Sequence, residues 1–240
     1  MKIRSILSII WVMIISGCSI YSNNGGNLPI YRCRMVKGPP TASVWKQIEA
    51  VSMILHDGKT DPRYNTTVKM CRDEQCIYIL FHCEDGDIWG TYCRRDDPIF
   101  NEEVVEVFIS PDGSLKRYYE INVSPRGVVF DSWIHNSSGL KPDKKSDSKW
   151  NCNELEVTVR VHGTVDKRDD VDKYWTVEMK IPFASLDQTG GKTPEAGDTW
   201  RMNLYRIDRT PDAEYSCWSP TLVEPVSFHV PAKFGKIVFD

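Results

Sequence analysis

The chain has 240 residues and a mean hydropathy of −0.39, and its 30 Lys and Arg against 33 Asp and Glu give a net charge of −3. Such a balanced, faintly acidic composition with scattered charges lacks the basic stripe that phosphate backbones require, so no nucleic acid partner is expected. Without residues 1–17 the balance becomes 28 basic against 33 acidic residues, or −5, which strengthens the exclusion.

At the N-terminus, Lys2 and Arg4 precede an apolar run at residues 6–15, shorter than the roughly 20 residues a helix needs to cross a bilayer. Residues 1–17 therefore read as a signal peptide. The sequence Ile15-Ser16-Gly17-Cys18 resembles the bacterial lipobox, in which cleavage exposes Cys18 to acylation. Several acyl chains anchor a protein where a single one is marginal. The expectation is an exported lipoprotein, held to a membrane of the cell envelope through its lipid. Ser19, standing where an aspartate would retain such proteins at the inner membrane, points to the outer membrane by the same resemblance. Residues 18–28 are polar and glycine-containing, as a lipidated flexible tether should be. Residues 29–240 then form one domain, long enough for a single buried core.

The rest of the chain reads as strands. Leu155, Val157, Val159 and Val161 alternate with polar residues, and so do Trp175, Val177, Met179 and Ile181. Further strands are expected near residues 67–71, 77–83, 104–109, 117–123, 128–134, 200–207 and 234–239, with one short helical turn at 182–186. Pro111-Asp112-Gly113 and Ser124-Pro125-Arg126-Gly127 supply turns between antiparallel neighbours. The fold class is all-β, an antiparallel two-sheet β-sandwich of jelly-roll type. Residues 139–149 read as an exposed lysine-rich loop.

Cys33, Cys71, Cys76, Cys83, Cys93, Cys152 and Cys217 remain after the lipid cysteine. Export permits disulfides, and Cys71 and Cys76 flank a turn-like segment, which makes them the disulfide candidate. No C-x-x-C pair suggests zinc. Three further motifs, H-E-x-x-H, G-x-S-x-G and G-x-G-x-x-G, do not occur. Gly191-Lys192-Thr193 ends like a phosphate loop but has Leu186 where the first glycine is needed. The adjacent Glu102 and Glu103 are carboxylates, yet neighbours on a strand face opposite ways, so they do not by themselves make the pair that glycoside cleavage requires. A non-catalytic protein is expected.

Carbohydrates present apolar C–H faces and a rim of hydroxyls, which call for flat aromatics beside planar polar side chains. Trp89 and Trp218 lie in polar segments and are the candidate aromatics, whereas Trp45, Trp175 and Trp200 read as core; Trp133 and Trp150 fit either role. Strand alternation at residues 117–123 turns Tyr119, Ile121 and Val123 inward and sets Tyr118, Glu120 and Asn122 together on the other face, where they could line a sugar groove. Arg206 shares a strand face with Trp200, Met202 and Leu204, and is either a paired buried arginine or a residue emerging into the site.

The segments W-K-Q-I, I-Y-I-L-F-H-C-E-D, E-E-V-V-E-V-F-I-S-P-D-G, Y-Y-E-I-N-V-S-P-R-G, Y-W-T-V-E-M-K-I-P-F-A-S-L, W-R-M-N-L-Y-R-I-D and C-W-S-P occur in this order between residues 29 and 240. Together they resemble carbohydrate-binding module family 9 and its relatives in the DOMON-like β-sandwich superfamily. The resemblance implies a poly- or oligosaccharide partner clamped between two tryptophans, here Trp89 and Trp218, with hydrogen bonds from side chains such as Glu103, Asn122 and Arg206. It also implies structural calcium, for which Asp57, Asp61, Asp85, Asp87, Asp96 and Asp97 offer oxygens. Relatives with this module accompany glycan-degrading enzymes, so such enzymes are expected nearby; no organic cofactor is expected. Alternatives remain on the same fold: a glycan-active enzyme, a structural envelope protein, and a haem-binding electron-transfer domain with an axial methionine among Met70, Met179 and Met202.

Overall fold

A computed structural model describes residues 27–138, 144–187 and 192–240, and in it the expected all-β sandwich is present. The signal segment, Cys18 and most of the tether lie outside the described residues. The strands are β1 (Ile30–Met35), β2 (Val51–Ser52), β3 (Ile54–Leu55), β4 (Thr66–Arg72), β5 (Cys76–Glu84), β6 (Val104–Ser110), β7 (Arg117–Val123), β8 (Val129–Asn136), β9 (Lys144–Asp147), β10 (Glu156–His162), β11 (Tyr174–Pro182), β12 (Thr199–Asp208), β13 (Glu214–Cys217) and β14 (Gly235–Phe239). One sheet runs β1-β14-β12-β6-β7-β8-β9, with β13 also on β12. The other runs β10-β11-β5-β4-β1.

β1 belongs to both. Ile30 to Cys33 pair in parallel with Lys236 to Phe239, and then Arg34 and Met35 pair in parallel with Cys71 and Arg72. At this crossing the buried phenol of Tyr31 donates to the carbonyls of Glu49 (2.9 Å) and Met70 (3.0 Å) and accepts from the Met70 N–H (2.8 Å). Every other pairing within the two main sheets is antiparallel, as the turn residues implied.

Alternation explains which side chains meet. Val68 and Met70 of β4, Ile77, Ile79 and Phe81 of β5, and Trp175, Val177 and Met179 of β11 face Val105, Val107 and Ile109 of β6, Tyr119 and Ile121 of β7, and Met202 and Leu204 of β12 in one inter-sheet core. The short helix α1 (Ala42–Trp45) covers part of the second sheet's outer face: Trp45 and Ile48 pack with Cys71, Cys76 and Tyr78, and the Trp45 indole donates to Glu178 (3.3 Å). Trp45, Trp175 and Trp200 are buried as expected, and Trp150 is half-buried, 4.6 Å from the Tyr119 ring.

Several expectations are corrected. Lys144–Asp147, read as part of a loop, extends the first sheet as its edge strand β9. Cys71 and Cys76 are free thiols, because the β4–β5 register sets Cys71 opposite Tyr78 and Arg72 opposite Ile77. Burial pushes the Cys71 thiol up to about 12 and raises that of Cys76, so both stay protonated.

Trp218 is the largest departure. The polar segment around it does not form a loop: Glu214–Cys217 pairs with β12, and the Trp218 N–H donates to the Leu204 carbonyl (3.0 Å). Its side chain, 1 % exposed, fills the inter-sheet core. The indole fits because residue 235 is glycine; a Cβ there would lie 2.4 Å from the ring. Overpacking of this kind costs about 1–3 kcal/mol, whereas deleting a buried indole costs about 3–5 kcal/mol. Gly235→Ala and Trp218→Ala should therefore lower the denaturant midpoint in that order of severity, as measured by equilibrium unfolding followed by tryptophan fluorescence for Gly235→Ala and by circular dichroism for both.

Candidate functional site

The pleat gives the first sheet a second buried face. Because Val105, Val107 and Ile109 point into the inter-sheet core, Val104, Glu106 and Phe108 point outward. On β7 the outward set is Tyr118, Glu120 and Asn122, the grouping that alternation predicted. The face is not solvated, however. Tyr118, Glu120 and Asn122 are 0 %, 5 % and 0 % exposed, because loop residues cover the sheet.

Between that cover and the sheet lies a cavity of ≈ 430 Å³. Its lining includes the carboxylates of Glu106 and Glu120, the hydroxyls of Ser146 and Ser227, and the imidazole of His229. Register places the polar residues side by side: Glu106 is opposite Asn122 on β7, and Asn122 is opposite Phe130 on β8. Asn122 donates its amide N–H to Glu120 at 2.9 Å, while its own Oδ1 is buried without a partner. His229 shares a 2.8 Å hydrogen bond with the Tyr118 hydroxyl through Nδ1, and its Nε2 lies 3.9 Å from Glu120.

Aromatic rings make the rest of the lining. Phe100, on the one-turn 3₁₀ helix Ile99–Asn101, meets Phe130 edge to face with centroids 5.3 Å apart. Tyr215 of β13 meets Phe228 at 6.0 Å, and Phe228 stacks on Tyr205 at 4.1 Å. Arg209 braces two of these residues from behind, with hydrogen bonds to the Tyr215 hydroxyl (3.0 Å) and the Phe100 carbonyl (3.2 Å). A cavity of this size with rings on its walls and acceptors on its floor is suited to a small molecule carrying both apolar faces and donor groups.

Arg206 and Glu103 lie elsewhere, on the inward face, and do not reach this cavity. Arg206 is 1 % exposed and bonds Asp85 (2.8 Å), Asp208 (3.3 Å), the Thr66 hydroxyl (3.1 Å) and the Glu84 carbonyl (2.7 Å). It is the paired buried arginine of the two expected possibilities, and it ties β12 to β4 and β5 across the end of the sandwich. Glu103, fully buried, accepts the Trp89 N–H (3.2 Å), and Glu102 accepts the Thr91 N–H (2.7 Å). The two glutamates thus hold one loop in place.

Trp89 is half-buried but is not one side of a clamp. Its indole N–H donates to Thr210 (3.0 Å), the Arg168 guanidinium sits 4.8 Å from the ring centre, and Trp218 is sealed in the core. Of the seven predicted sugar-site residues, Glu120 lines the cavity, while Tyr118 and Asn122 support it. Phe100, Glu106, Phe130, Tyr215, Phe228 and His229 were not anticipated.

The other candidate groups are engaged or dispersed. Asp57 accepts the Lys59 and Thr60 N–H groups, Asp85 is on Arg206, Asp87 on Arg168, and Asp97 caps Arg94. Among the described residues no three His, Cys, Asp or Glu side chains converge as a metal site. Met70, Met179 and Met202 are fully buried in the inter-sheet core.

Comparison with known proteins places this geometry in context. The model of one family, described as carbohydrate family 9 binding domain-like, matches residues 38–240. An extracellular protein of Arthroderma benhamiae is 26 % identical over 205 residues, covering 81 % of this chain and 86 % of that one. Among solved structures, a Bacteroides uniformis protein proposed to bind carbohydrate superposes with a TM-score of 0.70 at 17 % identity, over 89 % of this chain and all of the other. Family 9 modules of Caldicellulosiruptor kristjanssonii, in complex with glucose and with cellotriose, superpose with TM-scores of 0.58 and 0.59 at 13 % and 14 % identity. Each covers 88 % of this chain, and 96 % and 94 % of the respective module. The structural likenesses establish the sandwich.

The Arg206 cluster holds a carboxyl with a displaced titration. Burial, reinforced by Asp85 and Asp208, raises the Glu103 carboxyl to about 9, against the opposing pull of Arg206. With the folded value above the unfolded one, the folded chain keeps a proton that the unfolded chain loses, so this group makes stability fall as pH rises from about 4.5 toward 9. Glu103→Gln should remove that slope: its melting temperature relative to wild type should rise between pH 5 and pH 8. An unchanged difference across that range would show that Glu103 is ionised in the fold.

Proposed function

Since this chain belongs to the carbohydrate family 9 binding domain-like family, we propose that it binds a poly- or oligosaccharide without transforming it, in the cavity on the outer face of the first sheet. The observation that carries this reading is the pairing of Glu106 and Glu120 on the floor with the rings of Phe100, Phe130, Tyr215 and Phe228 on the walls. Sugar hydroxyls are donors, and a carboxylate offers them charge-assisted acceptors. The C–H faces of a pyranose pack on aromatic rings, which are already fixed against one another and lose little freedom on binding. The family 9 modules solved with glucose and cellotriose support an oligosaccharide as the ligand class. The cavity replaces the Trp89–Trp218 clamp in this reading.

Export belongs to the same proposal. The basic start, the short apolar run and Ile15-Ser16-Gly17-Cys18 support a lipid on Cys18 and a place in the outer membrane of the cell envelope, and the extracellular relative supports export. Glycan-degrading enzymes acting nearby would share the bound polymer.

Two experiments test these points. Isothermal titration across a panel of neutral oligosaccharides should detect binding with no sustained release of reducing ends; Phe130→Ala should weaken it by roughly 5- to 150-fold, from about 1–3 kcal/mol of lost ring contact. Glu120→Gln should weaken it with little effect on the melting temperature, and Trp89→Ala should leave it intact. Loss at Trp89 with retention at Phe130 would move the site back to the loop. Separately, Cys18→Ala in the full-length chain should abolish metabolic labelling by palmitate and release the protein from the membrane fraction.

A further inference from the structure

The two sheets end differently at their free edges. β9, the edge of the first sheet, is four residues long and begins with two lysines, features that discourage pairing with another strand. β10, the edge of the second, is seven residues long, contains no proline, and among the described residues pairs with β11 alone. Its outward residues are exposed, and Val157, Val159 and Val161 are only half-buried at the open rim of the core.

We propose that β10 is a dimerisation edge that pairs antiparallel with β10 of a second copy of this chain. The argument is the strand's own symmetry about Thr158. A two-fold axis there sets Glu156 of one copy opposite Arg160 of the other, twice, and sets Thr158 opposite itself. On the other face it sets Val157 opposite Val159, covering apolar surface that a single copy leaves partly open. The alignment holds whichever alternate set of backbone groups faces outward, because each residue and its partner have the same parity. Lys180, which donates to Glu156 at 2.6 Å, holds that carboxylate in place on the exposed face.

A seven-residue edge is small for an interface, so the dimer is expected to be weak and concentration-dependent. It leaves the cavity free, since β10 and the cavity belong to different sheets. A dimer therefore carries two cavities and gains avidity on a repeating ligand; the pairing itself does not depend on what the cavity binds.

Sedimentation velocity of the full chain over a range of concentrations tests the proposal. Monomer and dimer should exchange, and Glu156→Lys or Arg160→Glu alone should raise the dissociation constant by about tenfold, from two ion pairs each turned into a like-charge contact. The double reversal Glu156→Lys with Arg160→Glu should restore dimerisation, a result that a nonspecific loss of stability cannot give. A chain that stays monomeric at every concentration, or a dimer indifferent to both single reversals, overturns it. Melting temperatures of the three variants, whose substituted residues are exposed, confirm that each is folded.

Discussion

The pleat of the first sheet governs both of the molecule's interiors. Once Val105, Val107 and Ile109 are committed to the inter-sheet core, Glu106 and Phe108 have no choice of side, and the same holds for Glu120 and Asn122 once Tyr119 and Ile121 are inward. A one-residue slip would carry carboxylates into the apolar core, so the stability of the sandwich also fixes the cavity floor. The cavity is therefore placed by rigid strands, and only its walls come from connecting segments.

Two groups of buried carboxylates follow from this arrangement, and their partners distinguish them. Around Arg206, the charges of Asp85 and Asp208 meet a guanidinium that also satisfies Thr66 and the Glu84 carbonyl, while the Trp175 indole donates to Asp85 at 3.2 Å. Every contact runs within or between the sheets, as an architectural tie would. Removing one member of such a network leaves an uncompensated buried charge, which explains its closure better than any gain in stability. Glu106 and Glu120 differ because they border an opening. Glu120 accepts from the Asn122 amide at 2.9 Å and has His229 Nε2 at 3.9 Å, so neutral and titratable neighbours rather than a guanidinium surround the cavity floor.

Sequence patterning made the strands and the outward triplet of β7 legible, because both depend on period-two alternation within a few residues. The same parity exposes Glu106: a carboxylate between valines in Glu103-Val104-Val105-Glu106-Val107 was a signal for the cavity floor. The walls were not legible, since Phe100, Phe130, Tyr215 and Phe228 converge from four separate segments. Trp218 misled for a related reason. Its neighbours are polar, but its burial depends on pairing with β12 and on the missing side chain at Gly235, seventeen positions later. The Cys71–Cys76 pairing failed on register, which residue spacing around a turn does not specify.

The outer faces of the two sheets complete the division. The second sheet presents Lys69, Thr176, Glu178 and Lys180 beside α1, where Lys69 donates to the Trp45 carbonyl at 2.7 Å and Glu178 accepts from the Trp45 indole. The first sheet cannot remain bare, because Val104, Phe108 and Ile207 are apolar on its outer face and require a cover. Phe228, Phe234 and Tyr215 supply it, with the Phe234 ring edge-on to Phe108 at 6.1 Å, and the cavity remains where this cover meets Glu106 and Glu120. The cavity is thus the place where an apolar cover meets a polar floor whose position strand parity fixes.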